Sequence, residues 1–111
     1  MTEKYNHELF QLKADLCKTF ADAKRLMIIN ELRDGEKSVG DICTSLGIGQ
    51  SLVSRHLSIL RQKGVVQTRR NGTTIYYKIS DSQIFETCDM MHQILLNQIK
   101  KNRTMTDQLI H

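Results

Sequence analysis

The chain has no proline and no tryptophan, and its only aromatic residues are three Phe and three Tyr. Long apolar runs are missing too: the longest hold three or four residues, as in Leu26-Met27-Ile28-Ile29. A membrane span needs roughly 20 apolar residues, so none is expected. Residues 1–7 are polar and hold no signal-peptide core, which points to the cytoplasm. Cysteine is scarce. Cys17, Cys43 and Cys88 are an odd number, with no pair closer than 26 residues. That pattern excludes a secreted disulfide framework and a CxxC zinc motif, and in the cytoplasm such thiols rest reduced. A phosphate loop, a nucleophile elbow, an HExxH motif and paired carboxylates in a glycine-rich setting are also missing, so no enzyme is expected.

What is present is a cationic block. From Ile42 to Ser80 there is not one Asp or Glu, while Arg55, Arg61, Lys63, Arg69, Arg70 and Lys78 supply six positive charges. The formal net charge of the chain is only +4, so the excess is local. Clustered cations suit phosphate binding, because affinity comes from charges that displace counterions together. The 111 residues fit one domain. A chain this short buries a modest core alone, so a dimer would add buried surface.

Periodicity then orders the elements. Leu9, Leu12, Leu16 and Phe20 recur at helical spacing, predicting a helix over 7–20. Asp22 is placed to cap a second helix with Leu26, Ile29 and Leu32 inward, stopping at Asp34-Gly35. Ser38 and Asp41 read as a capping box opening a short third helix through Leu46. Gly47 and Gly49 make a turn. A fourth helix starts at Gln50 or Ser51, turns Leu52, Val53, Leu57 and Leu60 inward and ends at Gly64. Beyond it, Val65 to Arg70 and Thr73 to Ile79 read as two strands joined by Asn71-Gly72, a hairpin signal in which both residues take positive φ. A last helix is expected over 81–100, with Ile84, Cys88, Met91, Leu95 and Ile99 as its stripe, and a frayed tail from Asn102.

A short helix, a glycine turn, a second helix and a hairpin make a winged helix-turn-helix: residues 38–64 are the helix-turn-helix and 65–79 the wing. The fold class is mainly α, about five helices with a two-stranded wing, in a single domain over 1–111. The second helix of such a motif meets base edges with its N-terminal side chains, here Gln50, Ser51, Ser54, Arg55 and His56. Gln pairs with adenine, Arg with guanine, and Ser with base or phosphate. Arg61 and Lys63 at the helix end, and Arg69, Arg70 and Lys78 on the wing, supply affinity through phosphate or the minor groove.

The run SVGDICTSLGIGQSLVSRHLSILRQKGVVQTRRNGTTIYYKI, Ser38 to Ile79, resembles the ArsR/SmtB family of metal- and redox-responsive repressors. FADAKRLMIINEL, Phe20 to Leu32, fits the same family's second helix. The resemblance implies a homodimer built from the helices at 7–20 and 81–100, two recognition helices on an inverted repeat of double-stranded operator DNA, and release by an inducer. The family's known sensor sites are degraded here. Where its arsenic and cadmium sensors carry cysteines, this chain has Ser38, Gly40 and Cys43. Where its zinc sensors place ligands, it has Asp81, Gln83, Ile94 and Asn97. Its dithiol sensors use a cysteine at the position of Asn30, and Cys88 comes too early to be the second.

Another thiol site stays open. If the first and last helices meet, as the resemblance implies, Cys17 and Cys88 approach each other and could form a disulfide, or hold a thiophilic metal(loid) ion with Cys43 or His92. The alternative is that the cysteines are small buried hydrophobes. The reading is thus a DNA-binding transcriptional repressor with a thiol-reactive or metal(loid) inducer. The rival readings are an inducer-independent DNA-binding protein and a winged-helix module that binds protein.

Overall fold

The computed structural model describes residues 6–110, the side chains at 106 and 110 excepted. The polar start at 1–5 and His111 lie outside the described residues. The chain divides into two compact units, Met1–Asp81 and Ser82–His111.

The first unit holds four helices and a sheet. Helix α1 spans His7–Phe20, as the spacing predicts, and Asn6 caps it by accepting the Leu9 N–H at 3.0 Å. Helix α2 spans Ala23–Glu31, capped by Asp22, and runs into a 3₁₀ turn at Leu32–Asp34. Its buried side is Ile28, Ile29 and Leu32, whereas Leu26 is only half-buried. Strand β1 is Lys37–Ser38 and α3 is Val39–Leu46. The capping box forms as read: Ser38 Oγ accepts from the Asp41 N–H, and the Asp41 carboxylate accepts from the Ser38 N–H. Gly47, at φ 65°, closes α3 in a left-handed turn that other residues enter only with strain. Helix α4 then spans Gln50–Gln62.

Strands β2, Val66–Asn71, and β3, Thr74–Ile79, form the hairpin. The sheet is three-stranded, in the order β1-β3-β2, because Lys37 and Ser38 pair with Tyr77 and Tyr76. The turn also differs from the expectation. Asn71 pairs with Thr74, so the two turn residues are Gly72 and Thr73, and among the described residues only glycines have positive φ. Gly72 at φ 64° in the first turn position has the sign pattern of a II′ turn rather than I′. Asn71 is thereby kept in the ladder as a strand residue.

The core of this unit is Ile28, Ile29, Leu32, Ile42, Val53, Leu57, Leu60, Val65 and Val66, none more than 3% exposed. Three of these nine lie on α4. That helix is therefore seated by side chains that would each cost about 1.5–3 kcal/mol to expose.

The second unit is one helix, α5, over Gln83–Ile110. It runs well past the end expected near Lys100, and the tail read as frayed is helical. No Gly or Pro interrupts 83–110, and Lys, Gln, Met and Leu continue the helix where the apolar stripe thins. Among the described residues, no helix is long and apolar enough to cross a membrane.

Candidate nucleic-acid interface

Helix α4 has two faces. Val53, His56, Leu57 and Leu60 are buried, at the three- and four-residue spacing of one helical side. Gln50, Ser51, Ser54, Arg55 and Ser58 are exposed on the other. Gly49 caps the helix without a side-chain hydrogen bond, which leaves its first N–H groups for an anion or for water. The exposed face thus offers an amide, hydroxyls and a guanidinium, the groups that read base edges and phosphates.

His56 departs from the expectation. It is 6% exposed, its Nδ1 lies 3.4 Å from Arg25 Nη1, and its Nε2 lies 3.9 Å from Asp22 Oδ1. A ring turned into the protein cannot meet a base. The reason is legible in the spacing: 56 is three residues from Val53 and four from Leu60, so it belongs to the inward side. Ser58 is a further residue on the outward side. It lies four residues after Ser54 and extends the same outward face.

The wing is fastened to the end of α4. Gly64 turns the chain at φ 76°, and the Val65 N–H donates to Leu60 O at 2.8 Å. Where the second strand returns to the base of the hairpin, the single Ser80 Oγ proton is shared between Gly64 O at 2.6 Å and Val65 O at 3.0 Å. The wing therefore follows α4 as one piece.

Register sorts its cations. Gln67 pairs with Lys78 and Arg69 with Tyr76, while Arg70 pairs with Ile75 and Val66 with Ile79. Directly opposed residues share a face and neighbours alternate, so Arg69 and Lys78 lie on one face and Arg70 on the face of Val66. Both arginines and Lys78 are exposed, as are Arg61 and Lys63 at the end of α4.

Arg69 is not a free cation. Its Nε donates to both Glu36 carboxylate oxygens at 3.1 Å, its Nη2 bonds the same carboxylate, and its guanidinium lies 5.0 Å from the centre of the Tyr76 ring. Hydrogen bonding to Arg69 holds the Glu36 carboxyl below its usual range, and the same bond raises Arg69. Glu36 lies six residues before the acid-free stretch, so the sequence run overstated the positive charge of the folded wing. A second carboxylate braces the base of the motif. Glu31 accepts Ser45 Oγ at 2.7 Å and Lys37 Nζ at 2.9 Å, and these bonds, Ser45 first, hold its carboxyl low.

The thiols are spread over three helices. Cys17 is exposed on α1, Cys43 is half-buried on α3, and Cys88 is half-buried on α5 with His92 exposed on the same helix. Among the described residues no three His, Cys, Asp or Glu side chains gather where they could hold a metal ion.

The chain is similar to known regulators. A family model described as bacterial regulatory protein, arsR family, matches residues 22–68. The biofilm growth-associated repressor of Xylella fastidiosa is 36% identical over 88 residues, covering 79% of this chain and 77% of that protein. The crystal structure of Mycobacterium tuberculosis Rv0081 superposes with a TM-score of 0.79 at 31% identity, over 87% of this chain and 98% of that one. The solution structure of the homodimeric winged helix-turn-helix DNA-binding domain of Mb0332 from Mycobacterium bovis gives 0.75 at 28% identity, over 84% and 86%.

Proposed function

The chain belongs to the ArsR family of bacterial regulatory proteins, and from that membership we propose that it is a repressor that reads an inverted-repeat operator and is released by a thiol-reactive inducer. It is a sequence-specific DNA-binding transcriptional regulator that works as a homodimer on duplex DNA, not an enzyme. The single observation behind the DNA-reading part is the division of α4: a buried apolar side that seats it, and an outward side of Gln50, Ser51, Ser54 and Arg55. In this reading Arg55 and Gln50 take base edges, while Arg61, Lys63, Arg70 and Lys78 hold phosphates. Its working place is the cytoplasm, beside the DNA.

The dimer is assigned to α1 and α5. Phe10, Leu12 and Leu16 of α1 and Met91, Ile94, Leu95 and Ile99 of α5 are each more than 40% exposed in the single chain. Apolar side chains in such number on two helices mark surfaces meant to be covered. Selection of duplexes from a random pool tests the operator assignment. The winning sites should show two-fold symmetry, with half-sites about 10 base pairs apart or a multiple of that. Unsymmetrical sites would overturn it.

The inducer is the finer part. Cys17 presents its thiol to solvent, and oxidants or persulfides need no metal-like cluster of donors. Treatment with a mild oxidant should weaken binding to a selected duplex, and Cys17→Ser or Cys88→Ser should abolish the response. A variant with Ser at Cys17, Cys43 and Cys88 that still responds would remove the thiol inducer and favour a regulator governed in another way.

A further inference from the structure

Arg25 sits at the start of α2 but bonds outward in three directions. Its Nε donates to Thr19 O at 2.7 Å and its Nη2 to Lys18 O at 3.2 Å, both carbonyls of the last turn of α1. Its Nη1 reaches His56 Nδ1, on α4, at 3.4 Å. Asp22 fixes where the arginine begins, because its Oδ1 accepts the Arg25 and Lys24 N–H groups at 3.1 and 2.9 Å.

We propose that Arg25 is a positioning residue for DNA reading, clamping the buried ring of His56 in the reading helix to the carbonyl end of α1. The inference rests on α4 being the DNA reader. The apolar seat of α4, Val53, Leu57 and Leu60, holds the helix down by packing but contributes no directional bond. A guanidinium is planar and has its donors in a rigid fork, so three bonds from one plane fix direction as well as distance. Its charge also suits the negative end of α1. Since Arg only donates, Nδ1 of His56 must be the acceptor, which places the proton of a neutral ring on Nε2, toward Asp22. The outward residues Ser51, Ser54 and Arg55 ride on the same helix as His56, so a rotation at His56 re-aims all of them. The clamp ends on α1, one of the two helices assigned to the dimer. The angle at which each protomer presents α4 is thereby referred to the dimer axis rather than to the wing alone.

Three variants test this on the full chain, using as probes a duplex selected from a random pool by the wild type and a random-sequence duplex of equal length. Arg25→Lys keeps a cation but cannot span both carbonyls and the ring. His56→Phe fills the space without an acceptor. His56→Asn restores an acceptor, because Asn Oδ1 stands where Nδ1 of the ring stood. Arg25→Lys and His56→Phe should each cut the preference for the selected duplex about tenfold, the size of a typical coupling between sites, while affinity for random duplex and its salt slope stay put. His56→Asn should recover much of the preference, and the Arg25→Lys, His56→Phe double variant should be no worse than either single one. Melting and sedimentation confirm that each variant is folded and dimeric. Should Arg25→Lys fail to fold, the two His56 variants decide. Equal behaviour of His56→Asn and His56→Phe, an unchanged preference in both breaking variants, or equal losses on both duplexes would overturn the clamp. A wild type without any preference would instead remove the DNA-reading assignment, and the clamp with it.

Discussion

Glu36 and Arg69 stand 33 residues apart in the chain and meet as an ion pair on the wing, with the guanidinium lying over the ring of Tyr76. The wing therefore carries one cation already engaged and others, Arg70 and Lys78, exposed on its two faces. A phosphate that uses Arg69 has to compete with a carboxylate. In the proposed reading of the wing as a phosphate holder, the pair should therefore moderate sequence-independent affinity.

Removing that competitor should show it. Glu36→Ala frees the guanidinium, so affinity for random duplex should rise, and the salt slope should steepen by about one for each phosphate newly engaged. An unchanged slope would mean that Arg69 does not reach DNA in either state.

The carboxylates also set a pH limit. Glu36 and Glu31 both have carboxyls held below the usual value of 4.5, the first mainly by Arg69 and the second mainly by the Ser45 hydroxyl. A depressed carboxyl contributes stability that is fully present above the unfolded value and is lost as pH falls through the folded one. Thermal melts should therefore lose the contribution of these two carboxyls only as pH falls below about 4.5, with little change from them above about 5. Glu31→Gln should remove part of that acid-dependent loss. The same acid dependence in the Gln variant as in wild type would place the acid sensitivity elsewhere.

Arg55 and Arg70 should separate reading from holding. Arg55→Ala is expected to cost about 1–3 kcal/mol on a selected duplex and little on random DNA, as a base contact does. Arg70→Ala should weaken both alike. Titrations of the two variants on both duplexes check this. Equal loss from Arg55→Ala on both would place Arg55 on the backbone.

Leu57, fully buried in the seat of α4, tests the fold beneath the site. Leu57→Ala should destabilise by about 2–5 kcal/mol in denaturant, from lost transfer energy and the cavity left behind. A loss under about 1 kcal/mol would mean that the surroundings collapse onto the gap. Leu95→Glu probes the other unit. It should shift the protein toward monomer in sedimentation, with DNA affinity falling in step.

Local rules explain what was legible in the sequence and what was not. Caps at Asp22 and Ser38-Asp41, the left-handed Gly47 and the spacing from Leu9 to Phe20 are signals within a few residues, and the chain obeys each. Strand β1 escaped because two residues carry no period, and its pairing to Tyr76 and Tyr77 is nonlocal. The hairpin was right in kind but shifted by one residue, since Gly72 alone supplies the positive φ. Helix α5 ran on because polar helix formers without a breaker look, in sequence, like a tail. At the site, the outward face of α4 could be read from spacing, and so could the inward turn of His56 once its distance from Val53 and Leu60 is counted. The partners of Arg69 and Arg25 could not: Glu36 and His56 come to them only through the fold.

In the proposed reading, cations that hold phosphates give the dimer its affinity for duplex DNA, and α4 gives it its choice of sequence. A salt titration of affinity on a selected duplex and on random duplex reads both at once. Two protomers engaging about 6–10 phosphates should lose roughly 10³–10⁵ in affinity between about 50 and 200 mM salt, with the selected duplex remaining tighter at every salt. Affinity that hardly moves with salt, or two duplexes bound alike throughout, would contradict it.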